Sequence, residues 1–117
     1  MSAPREVLLR LLDGVAAKRW DELPLLYAED AHVTHPPHGP ELNGREELRR
    51  HFAAAAEHGF DIRAEDVIVH ETADPEVVIG EFRYRGTSGD QEIDAPRIFV
   101  MRIRGGLIVE SRDYRVG

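Results

Sequence analysis

At Gly59 the chain changes period, and that change limits the folds open to it more than any single motif. Before it, apolar residues recur every three or four positions, as on one face of a helix; after it they alternate, as on a half-buried strand. "PREVLLRLLDGVAAKRW" places Val7, Leu8, Leu11, Leu12, Val15 and Ala16 on one helical face, with Pro4 suited to the first turn. "NGREELRRHFAAAAEHG" repeats the pattern through Leu48, Phe52, Ala55 and Ala56. Acidic residues stand in its first turn and Gly59 stops it. Between them "DELPLLYAEDA" predicts a short helix with Asp21 as N-cap and with Leu23, Leu26 and Tyr27 on one side; Pro24 fits only in its first turn.

"AHVTH" reads as a brief strand ended by Pro36 and Pro37. After Gly59 come four runs rich in strand formers, "FDIRAEDVIVHETA", "EVVIGEFRYRG", "EIDAPRIFVMRIR" and "LIVESRDYRV", separated by "DPE", "TSGDQ" and "GG". Helices first and an antiparallel meander afterwards imply an α+β fold in which three N-terminal helices cover one face of a curved antiparallel sheet. With 117 residues the chain is expected to form one domain, 1–117.

Charge and composition remove several classes of function. The net charge of −7 repels phosphate backbones and anionic lipid, so no nucleic-acid partner and no membrane partner are expected. No apolar run approaches the roughly 20 residues that span a bilayer, and the N-terminus lacks the continuous apolar core of a signal peptide, so a cytoplasmic location is expected. The absence of cysteine excludes thiolate nucleophiles and Cys-based zinc sites.

The densest cluster of chemistry is "HVTHPPHG", with His32, His35 and His38 in eight residues. Strand alternation sends His32 and His35 to opposite faces and two prolines forbid a helical turn, so the three cannot converge on one ion; no metal is expected. In "PRIFVMRIR", alternation groups Arg97, Phe99, Met101 and Ile103 on one face. Arg97 would hold a carboxylate or carbonyl oxygen at the end of a cavity, or else lie at a surface or an interface. Leu107, Val109, Ser111 and Asp113 share a face by the same rule, as do Ile79 and Glu81. An acid in line with apolar residues is costly unless it is paired with an arginine or functional, which marks Asp113 and Glu81 as candidates. Tyr27 could offer a phenol to a cavity; Trp20 and Phe52 would supply apolar wall or core.

The segments "LYAEDAHVTHP", "LNGREELRRHF" and "GGLIVESRDY", in this order, resemble the nuclear transport factor 2-like superfamily over nearly the whole chain. That group includes ketosteroid isomerases, SnoaL-like polyketide cyclases and limonene epoxide hydrolase. "TADPEVVIGEFRYRG" and "SRDY" are most similar to the SnoaL-like branch. The resemblance implies a cone-shaped fold, a deep apolar cavity open at one end, a small apolar ligand, no cofactor and a homodimer. It places His35 where ketosteroid isomerases carry their catalytic aspartate, and Leu11 and Phe99 where they carry their oxyanion donors. Steroid isomerisation by that route would leave the enolate charge without a partner. Epoxide hydrolysis would need a second acid and an arginine, which only Glu81 and Arg83 could imitate, with their roles exchanged.

The function expected is therefore SnoaL-like cyclase or isomerase chemistry on a carbonyl compound. His35 would be general base or hydrogen-bond anchor, and Asp113 or Glu81 would orient it or a water molecule. Arg97 or Tyr27 would hold a substrate oxygen. The alternative from another class is a non-catalytic binding or dimerisation module using the same cavity.

Overall fold

The computed structural model describes residues 3–116; residues 1, 2 and 117, the ends of the expected single domain, lie outside the described residues. Helix α1 (Pro4–Ala16) buries Val7, Leu8, Leu11, Leu12 and Val15, and α2 (Arg45–Glu57) buries Leu48 and Phe52. Six strands follow the chain as β1 (Tyr27–Thr34), β2 (Leu42–Asn43), β3 (Phe60–Glu71), β4 (Val77–Ser88), β5 (Gln91–Arg104) and β6 (Leu107–Arg115). They form one curved sheet in the order β2-β1-β6-β5-β4-β3.

Two sequence expectations change here. The segment read as a second helix is a single 3-10 turn, Leu23–Leu26, and Tyr27 opens β1 instead of closing a helix. Leu23 and Pro24 are buried, with the Leu23 side chain packed over Gly14; tertiary packing takes the place of the helix that four residues and a proline cannot sustain. The sheet is also mixed. β3 to β6 form the antiparallel meander, but β1 lies parallel to β6, with Val33 opposite Ser111 and Thr34 opposite Arg112.

Three register shifts bend the sheet. One follows Glu65 in β3, where Asp66 takes a positive φ; one lies between Arg102 and Ile103 on the β5–β6 ladder; one lies between Tyr27 and His32 in β1. The shift in β6 makes Val109 the extra residue. Ile108, fully buried, joins Ser111 and Asp113 on the concave face, a place simple alternation had given to Val109.

On that concave side, α1 crosses the strands at Gly80. A Cβ there would stand 2.9 Å from Leu8 Cδ1, so the missing side chain lets the helix close on the sheet. Helix α2 is tied to β1 from its first turn: Arg45 donates from Nε and Nη2 to the Tyr27 carbonyl, and the Gly44 N–H donates to that of Ala31. The core between sheet and helices includes Leu8, Leu12, Val78, Met101, Ile103 and Ile108. It fills only the part of the cone beside α1.

Candidate active site

The rest of the cone is open. Between α2, the end of α1 and the concave face of β4 to β6 lies a cavity of about 380 Å³, walled by Leu11, Val15, Trp20, Phe52, Ile62 and Phe99. Trp20 stacks on Phe52 with ring centroids 6.4 Å apart, and Tyr27 meets the same ring at 6.2 Å. One end of this apolar space carries all of its charge.

The ladder explains which side chains reach that end. Three rows cross the concave face: Val78–Met101–Ser111, then Gly80–Phe99–Asp113, then Phe82–Arg97–Arg115. On β1, Thr34 is level with Arg112, so His35, the next residue, comes level with Asp113. His35 Nε2 lies 3.8 Å from Asp113 Oδ2, and both side chains are about nine-tenths buried. That separation is too long for a hydrogen bond, yet both groups address the same point of the cavity.

The other ring nitrogen of His35 fixes the tautomer. Nδ1 lies 2.7 Å from the Pro40 carbonyl oxygen, which can only accept. Nδ1 therefore carries the hydrogen, and Nε2 of the neutral ring presents its lone pair to the cavity. The loop that supplies Pro40 is shaped by the Pro36–Pro37 turn and by Gly39, whose N–H donates to the His35 carbonyl at 2.7 Å. A Cβ on Gly39 would fall 2.4 Å from His35 Cβ, so only glycine lets the loop double back this closely.

Burial lowers the His35 pKa below its ordinary 6.5; the Pro40 hydrogen bond opposes this, and the charges of Arg115 and Arg97 add to it. Burial acts on Asp113 in the other direction and pushes it up to about 7, against the Ser111 hydroxyl that donates to Oδ1 and the more distant Arg97 charge. Near neutral pH burial therefore favours the unprotonated imidazole and keeps a large share of the carboxyl protonated. A free base and an acid O–H stand side by side in an apolar cavity, the arrangement that proton transfer at a carbon next to a carbonyl requires.

Two phenols complete this end, Tyr27 buried and Tyr84 half-buried. Tyr27 and Tyr84 line the cavity, and burial followed by the nearby Asp113 charge keeps both protonated. His51 projects from α2 at the rim, its ring 5.8 Å from that of His35 and 5.4 Å from Phe52. Burial against these groups, then the charges of His35 and Arg115, lower its pKa.

Of the residues marked in the sequence, His35, Asp113, Tyr27, Arg97, Phe99, Trp20 and Phe52 all line the cavity. Glu81 and Met101 do not. Glu81 lies on the convex face, where its Oε2 meets His70 Nε2. Arg83, its imagined partner for epoxide chemistry, also points outward and pairs with Asp94 at 2.7 Å. Met101 is fully buried in the core beside the cavity. The arginines flanking Asp113 in sequence do not neutralise it: Arg112 bonds Glu110, and Arg115 makes no ion pair among the described residues. His32 is exposed and pairs with Glu41 at 2.9 Å, and His38 is exposed on the rim loop. Among the described residues no three His, Cys, Asp or Glu side chains are grouped to hold a metal.

Sequence reasoning leaves His51 on a solvated face, reads Arg115 only as an ion-pair partner for Asp113, and does not reach Tyr84 or the Pro40 carbonyl. His51 had a readable signal, since Leu48, His51, Phe52 and Ala55 share one helical face. A backbone carbonyl as the partner of a histidine has none.

A curved sheet folded over helices, with a cavity opening at one end of the cone, defines the nuclear transport factor 2-like superfamily. Within it the chain belongs to the SnoaL-like domain family, which matches residues 8–111. An uncharacterised PhzA/B-like protein from Pseudomonas aeruginosa is 34% identical over 113 residues, covering 91% of this chain and 77% of its own. Among solved structures, a phenazine biosynthesis-related protein from the same organism superposes with a TM-score of 0.82 at 18% identity, over 96% of this chain and 74% of that one. A protein with a ketosteroid isomerase-like fold from Catenulispora acidiphila, in complex with trimethylamine, gives 0.80 at 19% identity, over 93% and 84%.

Proposed function

We propose that this chain is a cofactor-independent enzyme of cyclase or isomerase type, acting by general acid–base catalysis on an apolar carbonyl compound held in the cone. The observation that carries the reading is His35 Nε2 facing Asp113 across 3.8 Å at the polar end of an apolar cavity. His35 Nε2 takes a proton from the carbon beside the carbonyl. The C–H electron pair becomes the enol double bond and the carbonyl π electrons move to oxygen, which receives the proton of Asp113. The enol carbon then adds to a second carbonyl of the same molecule, closing a ring, while His35 Nε2 gives its proton to the new alkoxide and the enol O–H returns its proton to Asp113. In a β,γ-unsaturated ketone the dienol instead takes the His35 proton at its γ carbon and returns the O–H proton to Asp113. Arg97, Tyr27 and Tyr84 stand where further substrate oxygens would be held.

The enol oxygen thus has a donor even though Leu11 and Phe99 stand at the positions that resemble the ketosteroid isomerase donors. The test is exchange of α-hydrogens of a bicyclic ketone such as 2-decalone in heavy water, followed by proton NMR. Replacing His35→Ala should slow the protein-catalysed exchange by roughly 10²- to 10⁴-fold, the range of a general base. Equal exchange in both proteins would remove His35 from this role. Binding of the ketone without exchange in the unaltered protein would leave a binding module.

A homodimer formed through the convex face fits the same reading. Ile68 and Ile98 flank Glu81 there, and Ile79 and Val100 lie side by side in the next row. Ile68 is 54% exposed, so an apolar strip stays open to a second copy.

A further inference from the structure

We propose that the ligand of this cavity carries a carboxylate, bound at the mouth of the cone by Arg97 and Arg115. This rests on the cavity being a small-molecule site and adds the chemical class of what enters it. Arg97 on β5 and Arg115 on β6 are direct cross-strand partners on the concave face. Like charges placed opposite one another destabilise a sheet, and elsewhere this protein answers its strand arginines with acids. Arg83 and Arg85 share Asp94, and Arg102 and Arg104 share Glu76.

Arg97 and Arg115 have no such answer: neither forms an ion pair among the described residues, and the one hydrogen bond of the Arg97 side chain goes to the Pro96 carbonyl. The neighbouring polar groups at this end include His35, His51, Tyr27 and Tyr84, which add no negative charge, and among the described residues Asp113 is the only acidic one lining the cavity. Burial holds Asp113 at about 7, which leaves it a weak counterion near neutral pH.

The protein as a whole carries a net charge of −7, so a positive cavity mouth is not an overflow of general basicity. Two planar guanidinium groups side by side above an apolar wall match a molecule with a hydrophobic body and a carboxylate at one end, since each fork can bind the anion through paired N–H groups. Anchored there, the body would extend past His35 and Asp113 toward Phe99 and Trp20.

Trp20 is the only tryptophan and lines the cavity, so its fluorescence reports occupancy without interference from saturated ligands. The experiment titrates the full chain with adamantane-1-carboxylate, its carboxamide, adamantyl methyl ketone and adamantane-1-ammonium. The carboxylate should bind roughly tenfold or more tightly than the carboxamide or the ketone, and the ammonium least of all. Arg115→Gln, at an exposed strand end, should cut this preference severalfold, and Arg97→Gln with Arg115→Gln should abolish it.

Equal affinity for ketone and carboxylate, or a preference for the ammonium, would overturn the carboxylate and leave the cavity reading standing. A preference that survives the double variant would overturn the assignment to these arginines. Failure of all four to bind would overturn both.

Discussion

At the scale of single residues, the chemistry rests on two groups whose acidities burial moves toward each other. The imidazole of His35 loses affinity for its proton and the carboxyl of Asp113 gains it, so a neutral pair replaces the ion pair that the same residues would form in water. Asp113 should carry a cost that depends on pH. Its folded pKa lies above the unfolded one, so its contribution is fully favourable below the unfolded value of 3.8. It declines as pH rises toward about 7 and is flat beyond. The difference is worth on the order of 4 kcal/mol. Asp113→Asn keeps an oxygen for the Ser111 hydroxyl and cannot ionise. Chemical denaturation at mildly acidic and mildly alkaline pH should therefore show the variant gaining on the unaltered protein by about half that amount, the rest being lost between 3.8 and the acidic starting point. A difference independent of pH would mean that Asp113 ionises normally in the fold.

Much of this site was legible in the sequence because strand alternation is a local rule. Arg97, Phe99 and Asp113 follow from counting by twos, and His35 from the strand that ends at Pro36. Glu81 obeys the same rule but occupies the convex face: alternation tells which residues share a side, and only the packing of α1 over Gly80 tells which side is inner.

At the scale of elements, the long periodic segments formed as their patterns require, while the short ones were decided by their surroundings. Leu23–Leu26 is too short to hold a helix, and the parallel pairing of β1 with β6 joins residues roughly eighty positions apart, a match no local pattern encodes. The β6 bulge likewise moved Ile108 to the concave face where alternation alone pointed to Val109.

The loop after β1 is the element on which the site depends most, because it supplies both the Pro40 acceptor and the tight return at Gly39. Gly39→Ala puts a Cβ within 2.7 Å of the His35 carbonyl oxygen and closer still to His35 Cβ, so this loop must move. The loop lies outside the core, so the variant should lose at least about tenfold in catalysed ketone exchange while its thermal midpoint falls by only a few degrees. Collapse of the fold, or unchanged exchange, would contradict the role given to this turn.

At the scale of the whole molecule, the fold divides its interior in two. Beside α1 the cone is filled by close-packed Leu, Ile, Val and Met; beside α2 it is open and lined with rings. The sheet carries polar groups from three strands, β1, β5 and β6, to the one end where the open half meets solvent. No helix among the described residues is long and apolar enough to cross a membrane. Surface acids give the chain its negative charge, while the cavity mouth keeps two arginines without acidic partners.

That division matters chemically only if the cone delivers an unprotonated Nε2 to its open half. The direct measurement is an NMR titration of the His35 imidazole in ¹⁵N-labelled protein, its signals assigned by comparison with His35→Gln. The expected result is a neutral ring protonated at Nδ1 that titrates below 6.5. A ring protonated at Nε2, or one that titrates at or above the ordinary value, would place the proton where a base needs a lone pair and would contradict acid–base catalysis by this pair.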